Sequence, residues 1–350
     1  AIDHFLSGST LGKINAMKSL KPEFSFFRAL LEFRCNNLLS GLITHSTNLV
    51  GNVLNLSLKP SEKMIGAALT GDKEAFKKGA RMLGQTASVF YDSFRMAGKA
   101  WKVGDNILDR GTTRYETLPT QEITFEKVRN RMLSGRPPGS ELTPNEELFA
   151  RSVGWLGDKL RYPTRLMMTA DELCKQIAFR TYLHAELMAA GERQGLSGEA
   201  LEAYVAKRKT EAFMPDGAVA KGELTADSLQ YSREATWTED LTGVAGKGVQ
   251  QFLNNVPAAR LIVPFHKTPT NLFYDFLRHV PYLAPGSNEW KQMTEAFQKG
   301  GEARADVLGR ISTGAGFMTL AYSLALEGRI TGAPPLNPKI REQWETLGIK

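Results

Sequence analysis

Residues 72–103 read DKEAFKKGARMLGQTASVFYDSFRMAGKAWKV, and their spacing decides the fold class. Phe76, Ala80, Leu83, Ala87, Phe90, Phe94, Ala97 and Trp101 recur every three or four residues. That interval is the turn of an α-helix, not the two-residue repeat of a strand. Asp72 is placed to cap the helix, which would run about 45 Å at 1.5 Å per residue. The apolar stripe, with Phe76, Leu83, Phe90, Phe94 and Trp101 as its large members, is expected to pack helix on helix. Lys73, Lys77 and Lys78 decorate the remaining surface together with later basic residues.

Upstream, NNLLSGLITHSTNLVGNVLNLSLKP (36–60) carries no charged side chain from Asn36 to Leu58. It is long enough to approach a bilayer span, yet Asn48, Asn52 and Asn55 fall at i, i+4 and i+7, on one helical face. An asparagine row toward lipid is costly, so the spacing favours packing against another helix, where hydrogen bonds satisfy it. Thr44 reads as an N-cap with His45 at the helix start. Lys59-Pro60-Ser61 reads as a break, with Ser61 capping a short helix through Ala68.

Helix signals continue downstream. Pro22 suits a first turn ahead of Phe26, Phe27, Leu30, Leu31 and Phe33. The helical pattern dissolves between Gly104 and Thr143, where SGRPPGSELTP is turn chemistry, so this stretch reads as a loop or insertion. Thr143-Pro144 opens a helix through Trp155, and Pro163 starts an amphipathic one carrying the stripe Leu166–Leu187. Ser197 caps another, and Thr270–His279 is a short helix in a proline-punctuated link. A last helix runs from about Glu289 to Leu326 with a break at Gly300-Gly301. The expected fold is all-α: an elongated multi-helix assembly with long loops and little or no sheet. Its segments would be a helical region at 1–104, the insertion at 105–143, a central helical region at 144–256 and a C-terminal region at 257–350. Both ends look cut, which suggests a piece of a longer polypeptide.

Composition bounds function loosely. The 350 residues hold 44 Lys and Arg against 37 Asp and Glu, a formal charge of +7. That balance permits contact with nucleic acid or anionic lipid without requiring it. Cys35 and Cys174 lack a CxxC partner and read as reduced thiols. GVAGKGV at Gly243 lacks the spacing and hydroxyl of a phosphate loop, and none of the five histidines forms HExxH. The acidic pair Asp171-Glu172 has Lys175 at i+4 from Asp171, a solvated or ion-paired face rather than an acid–base site. No motif argues for an enzyme, and no catalytic residue, metal or cofactor is expected.

ISTGAGFMTLAYSLAL (311–326) is uncharged but spans only about 24 Å, short of a hydrocarbon core of about 30 Å. Its small residues suit tight packing, and a buried bundle helix is the favoured reading. Ile311, Phe317, Met318, Leu320, Tyr322 and Leu324 are the candidate contacts with membrane or with neighbouring subunits. The candidate contacts with DNA backbone are Lys73, Lys77, Lys78, Arg129, Arg131, Lys207, Arg208 and Lys209, with no base-reading motif among them.

Four stretches in order resemble one family. LLSGLITHSTNLVGN resembles the LLSGPxTHxxNxxGN segment of very large virion proteins of tailed bacteriophages. TADELCKQIAFRTYLHAELMAAGERQGLSGE resembles their ADExxKxxxYRxxLxAxA helix. VPFHKTPTNLFYDFLRHVP is similar to PFxxTPxNxxxxxxxRxP. The end of the chain looks like their glycine-rich apolar helix followed by GxITGxGP. Leu42 departs from the usual proline, and His266 and Lys267 replace a common Val-Arg. The resemblance implies an internal virion, or ejection, protein of a short-tailed phage. Such a protein is packaged in the capsid and released to the host periplasm and envelope. It would form a homo-oligomeric ring or tube there, with viral DNA, other ejection or portal and tail proteins, and the host membrane as partners. The alternatives are a helical part of a virion-associated cell-wall hydrolase or polymerase, and a scaffold that stays in the particle.

Overall fold

A computed structural model describes residues 24–108, 121–137, 139–241, 244–263, 265–330 and 337–347. The fold is all-α, and among the described residues the only β feature is an isolated bridge between Phe213 and Val219. The helices are α1 (Phe26–Leu38), α2 (Leu42–Thr70), α3 (Lys73–Val103), α4 (Phe125–Leu133), α5 (Pro144–Leu160), α6 (Tyr162–Arg193) and α7 (Gly198–Glu211). They continue with α8 (Glu223–Ala235), α9 (Val244–Asn255), α10 (Lys267–His279), α11 (Asn288–Lys299), α12 (Gly301–Leu326) and α13 (Pro338–Thr346).

Helix starts follow local chemistry. Thr143 and Glu146 close a capping box at α5, with Pro144 as the first helical residue. Ser25, Thr124, Ser287 and Asn337 each accept a backbone N–H at the start of α1, α4, α11 and α13. Pro22 lies outside the described residues.

Two boundaries differ from the expectation. The stretch at 105–143 is not all loop, because Thr124 caps α4 inside it. Pro60 does not break the chain either: α2 runs through it for 29 residues, beginning before Thr44 and His45. A proline removes one helical N–H but leaves its neighbours able to bond. Here the Ser61 hydroxyl donates to Ser57 O at 2.8 Å, and Pro60 is buried.

The chain divides into two compact units, each gathering separated segments. The first takes Ala1–Val50, Ala97–Glu172 and Val249–His266. The second takes Gly51–Met96, Leu173–Gly248 and Lys267–Lys350. In the first, α5 touches the backbone at the start of α4: a Cβ at Gly154 would sit 2.7 Å from Phe125 N, and one at Gly157 1.9 Å from Ile123 O just ahead of the helix. In the second, α2 and α12 do the same, and a Cβ at Gly66 would lie 1.7 Å from Ala305 O. Only glycine permits such approaches.

The burial pattern corrects the expected stripe. The inward residues of α3 are Ala75, Lys78, Met82, Val89, Ser93, Ala97 and Ala100, while Phe76, Phe90 and Phe94 are exposed. One residue is 100° around a helix, so the buried face sits a single position from the apolar stripe. Of the stripe, Leu83 is half-buried and Trp101 packs on Tyr162 at 5.9 Å between ring centroids. The segment 311–326 is corrected likewise. Ile311 and Leu324 are half-buried, but Phe317, Met318, Leu320 and Tyr322 are exposed, so the apolar end of α12 is not covered by its own chain.

Candidate functional site

The inward face of α2 is polar and the outward face is apolar. Asn52, Asn55, Lys59, Glu62, Lys63 and Gly66 are buried, while Leu42, Ile43, Val50, Val53 and Leu54 are exposed. The asparagine row therefore faces inward. Asn48 donates to Asp171 Oδ1 at 2.7 Å in the first unit, and Asn55 donates to Ala235 O at 2.8 Å in the second. Asn52 is fully buried. Other helices share the inversion. Ala150, Gly154 and Gly157 are the buried residues of α5, with Phe149 and Trp155 outside. In α10, Asn271 and Asp275 point inward, with Leu272, Phe273 and Phe276 outside.

In the second unit the inward groups form a network of ion pairs around a polar cavity of about 270 Å³. Lys63 Nζ lies 2.7 Å from both Glu302 Oε1 and Asp306 Oδ1. Lys78 pairs with Glu302 at 2.6 Å and also with Glu186. Lys59 lies 3.5 Å from Asp275, whose other oxygen accepts from Trp237 Nε1 at 3.0 Å. Arg310 stands 3.6 Å from Glu234. Burial works against these charges, but Lys63 and Lys78 hold the Glu302 carboxyl down at about 2, and Lys59 holds Asp275 well below the usual carboxylate range. Tyr182 and Tyr231 stack beside the cavity at 4.6 Å. Each of these acids meets a cation, so the arrangement locks helices together. Among the described residues no group of three or more His, Cys, Asp or Glu is placed to hold a metal.

His279 joins this network with both ring nitrogens facing acceptors: Nδ1 is 2.7 Å from Asp275 O and Nε2 is 2.7 Å from Glu62 Oε1. Nδ1 donates to the carbonyl, and Nε2 donates to the Glu62 carboxylate when the ring is protonated. Burial opposes that charge, but the hydrogen bond and charge of Glu62 raise the pKa above 6.5. His184 is the opposite case: burial, then Lys209 and Arg81, lower it from 6.5 to about 4. The signs follow by linkage. The His279 contribution is complete below pH 6.5 and is lost as pH rises through its raised value. The His184 contribution is complete above 6.5 and is lost as pH falls toward 4. Thermal unfolding followed by calorimetry should therefore show a stability maximum near pH 6.5. His279→Gln should flatten its alkaline side and His184→Gln its acid side.

The candidate DNA contacts separate into two groups. Lys78 is withdrawn from that role because it is buried in the ion-pair network. Lys73, Lys77, Arg131, Lys207 and Arg208 are exposed, and Arg129 and Lys209 are half-buried. Lys77 pairs with Glu74 at 2.9 Å, Arg208 with Glu211 at 2.8 Å and Arg129 with Glu126 at 4.0 Å. Such surface pairs are weak and exchange readily for phosphate.

Sequence reasoning stopped at Pro60 and so missed Lys59, Glu62 and Lys63 as a continuation of the asparagine face. The signal was there, since Asn52, Asn55, Lys59, Glu62 and Gly66 keep the same three- and four-residue spacing. The expected Asp171–Lys175 ion pair is also corrected: the Lys175 amine is buried and meets no hydrogen-bond partner among the described residues. No helix among the described residues is long and apolar enough to cross a membrane. Comparison with protein-family models, curated proteins and solved structures gave no match to this chain.

Proposed function

We propose that this chain is an assembly segment of a phage ejection protein, which joins copies of itself into a ring or tube that helps pass viral DNA across the host envelope. The observation that carries the reading is the inverted helix pattern. On α2, α3, α5, α10 and α12 the inward faces are mainly small and polar, with Met82, Val89 and Leu277 as apolar members, while most of the large apolar side chains face outward. Large apolar side chains left exposed on a helix face mark contact with other molecules. In this reading other copies of the chain are the main cover and lipid touches the apolar end of α12; no helix among the described residues is long and apolar enough to cross a membrane. The ordered resemblance to virion proteins supplies the setting. Exposed Lys73, Lys77, Arg131, Lys207 and Arg208 would meet DNA phosphate without sequence preference.

The end of α12 is the place to test this. Gly309 and Gly314 seat its first half against the backbone of Glu62 and His279, and residues 315–323 emerge exposed. Replacing Phe317, Leu320 and Tyr322 with serine should leave the helical content unchanged. It should shift the sedimenting species toward single chains and reduce flotation with anionic liposomes. Unchanged assembly and flotation would remove α12 from the proposal.

A further inference from the structure

We propose that the outward face of α3 pairs with the same face of a second copy, antiparallel, about a two-fold axis at Ala87. The inference rests on the self-association proposed above but not on ejection or on α12. The face contains Ala80, Leu83, Gly84, Ala87, Phe90, Tyr91 and Phe94, none of them charged. At 100° per residue these seven lie within one side of the helix. Its first half is mostly small and its second half aromatic. Setting two copies antiparallel about Ala87 puts Phe94 against Ala80, Tyr91 against Gly84 and Phe90 against Leu83 of the partner. Each large side chain then meets a smaller one, as an isologous contact requires.

Gly84 is the second observation. The glycines at Gly66, Gly79, Gly154, Gly157, Gly309 and Gly314 each lie against a neighbouring backbone, where a Cβ would collide. A Cβ at Gly84 would meet nothing within 4 Å. Glycine is among the poorest helix formers, so mid-helix it weakens α3 without any return inside the single chain. A partner's tyrosine ring against Gly84 supplies the missing contact.

The area is also sufficient. Phe76 extends the same face, being eleven residues and about 20° from Ala87, and Phe76, Phe90, Tyr91 and Phe94 are 41%, 50%, 76% and 61% exposed. At about 200 Å² per aromatic residue, they leave on the order of 450 Å² open on each copy. Two copies, with the small residues between the rings, reach the roughly 1,000 Å² that a specific interface needs.

Sedimentation equilibrium of the full chain tests the pairing. Gly84→Leu fills the recess from the solvent side and should raise the dimer dissociation constant at least tenfold. Gly84→Ala should raise the melting temperature while weakening association. Ala87→Cys sits on the axis and should oxidise to a disulfide-linked dimer. Arg95→Cys should not, because its two copies would stand about 24 Å apart at 1.5 Å per residue. If assembly persists but Gly84→Leu leaves it unchanged and the two cysteines cross-link alike, the α3 pairing is wrong and self-association stands. A chain that stays single at every concentration overturns both.

Discussion

Gly309→Ala should destabilise the second unit by about 2–4 kcal/mol, lowering its melting temperature by roughly 5–15 °C. The added methyl would sit 2.0 Å from Glu62 O and 2.7 Å from Glu62 C. Those are backbone atoms inside α2, so no side chain can rotate away, and the two helices must separate. Separation reaches further than the clash. Lys63 is one residue along α2 from Glu62, and its bonds to Glu302 and Asp306 are both 2.7 Å. Both acids lie on α12, so moving the helices apart lengthens both bonds while the lysine stays buried. Gly66→Ala should act at the same crossing, where its methyl would lie 1.7 Å from Ala305 O. Because either change already parts the helices, the double variant should lose less than the two single losses added. Gly84→Ala is the internal control. It makes the same chemical change in a helix with open space, and it should stabilise the chain. Thermal melts of the four variants decide the matter. A Gly309→Ala protein that melts with the parent would mean that α2 and α12 do not touch.

The contrast between Gly309 and Gly84 shows what the sequence could convey. Helix positions were legible, because periodicity and caps are local: Thr143-Pro144 marks the start of α5, and α7 starts after Ser197, although that side chain makes no capping bond. The all-α class and the inward asparagine row followed from the same local spacing. The direction of the α3 stripe was not legible. A run such as Phe76, Phe90 and Phe94 says that these side chains want cover, not whether the cover belongs to the same chain. Pro60 misled for a related reason. Its effect on a helix depends on tertiary support, and Gly79 lets α3 approach close to Pro60 O. The ion-pair network could not be seen because its members are distant in sequence, Lys63 and Asp306 by 243 residues. Charges at such separations are brought together only by the packing of helices, which local pattern does not encode. The assembly of each unit from three separated segments is hidden for the same reason.

Arg161→Ala should cost the first unit about 3–5 kcal/mol, because it leaves a buried carboxylate without its cation. Glu32 on α1 has a fully buried side chain. One oxygen accepts from Arg161 Nη1 at 2.7 Å, and the other accepts from Glu122 N at 2.7 Å and Ile123 N at 3.0 Å. Arg161 also donates to Ile123 O at 3.1 Å, so the pair ties α1, the strand-like entry to α4 and the junction of α5 with α6 at one point. Glu122 extends the tie, accepting from Ser25 N at 2.6 Å and from Lys127 Nζ at 2.6 Å. Removing the guanidinium therefore exposes two costs together, an unpaired charge and an unpaired carbonyl. Glu32→Gln should cost less than Arg161→Ala, since the amide oxygen can still accept a backbone N–H. The double variant Glu32→Gln with Arg161→Met should recover part of the single Arg161→Ala loss, because no buried charge then remains. Denaturant unfolding of Glu32→Gln, Arg161→Met and their double variant gives the coupling directly. Additive losses would show that the two side chains act separately and that the junction is held by helix packing alone.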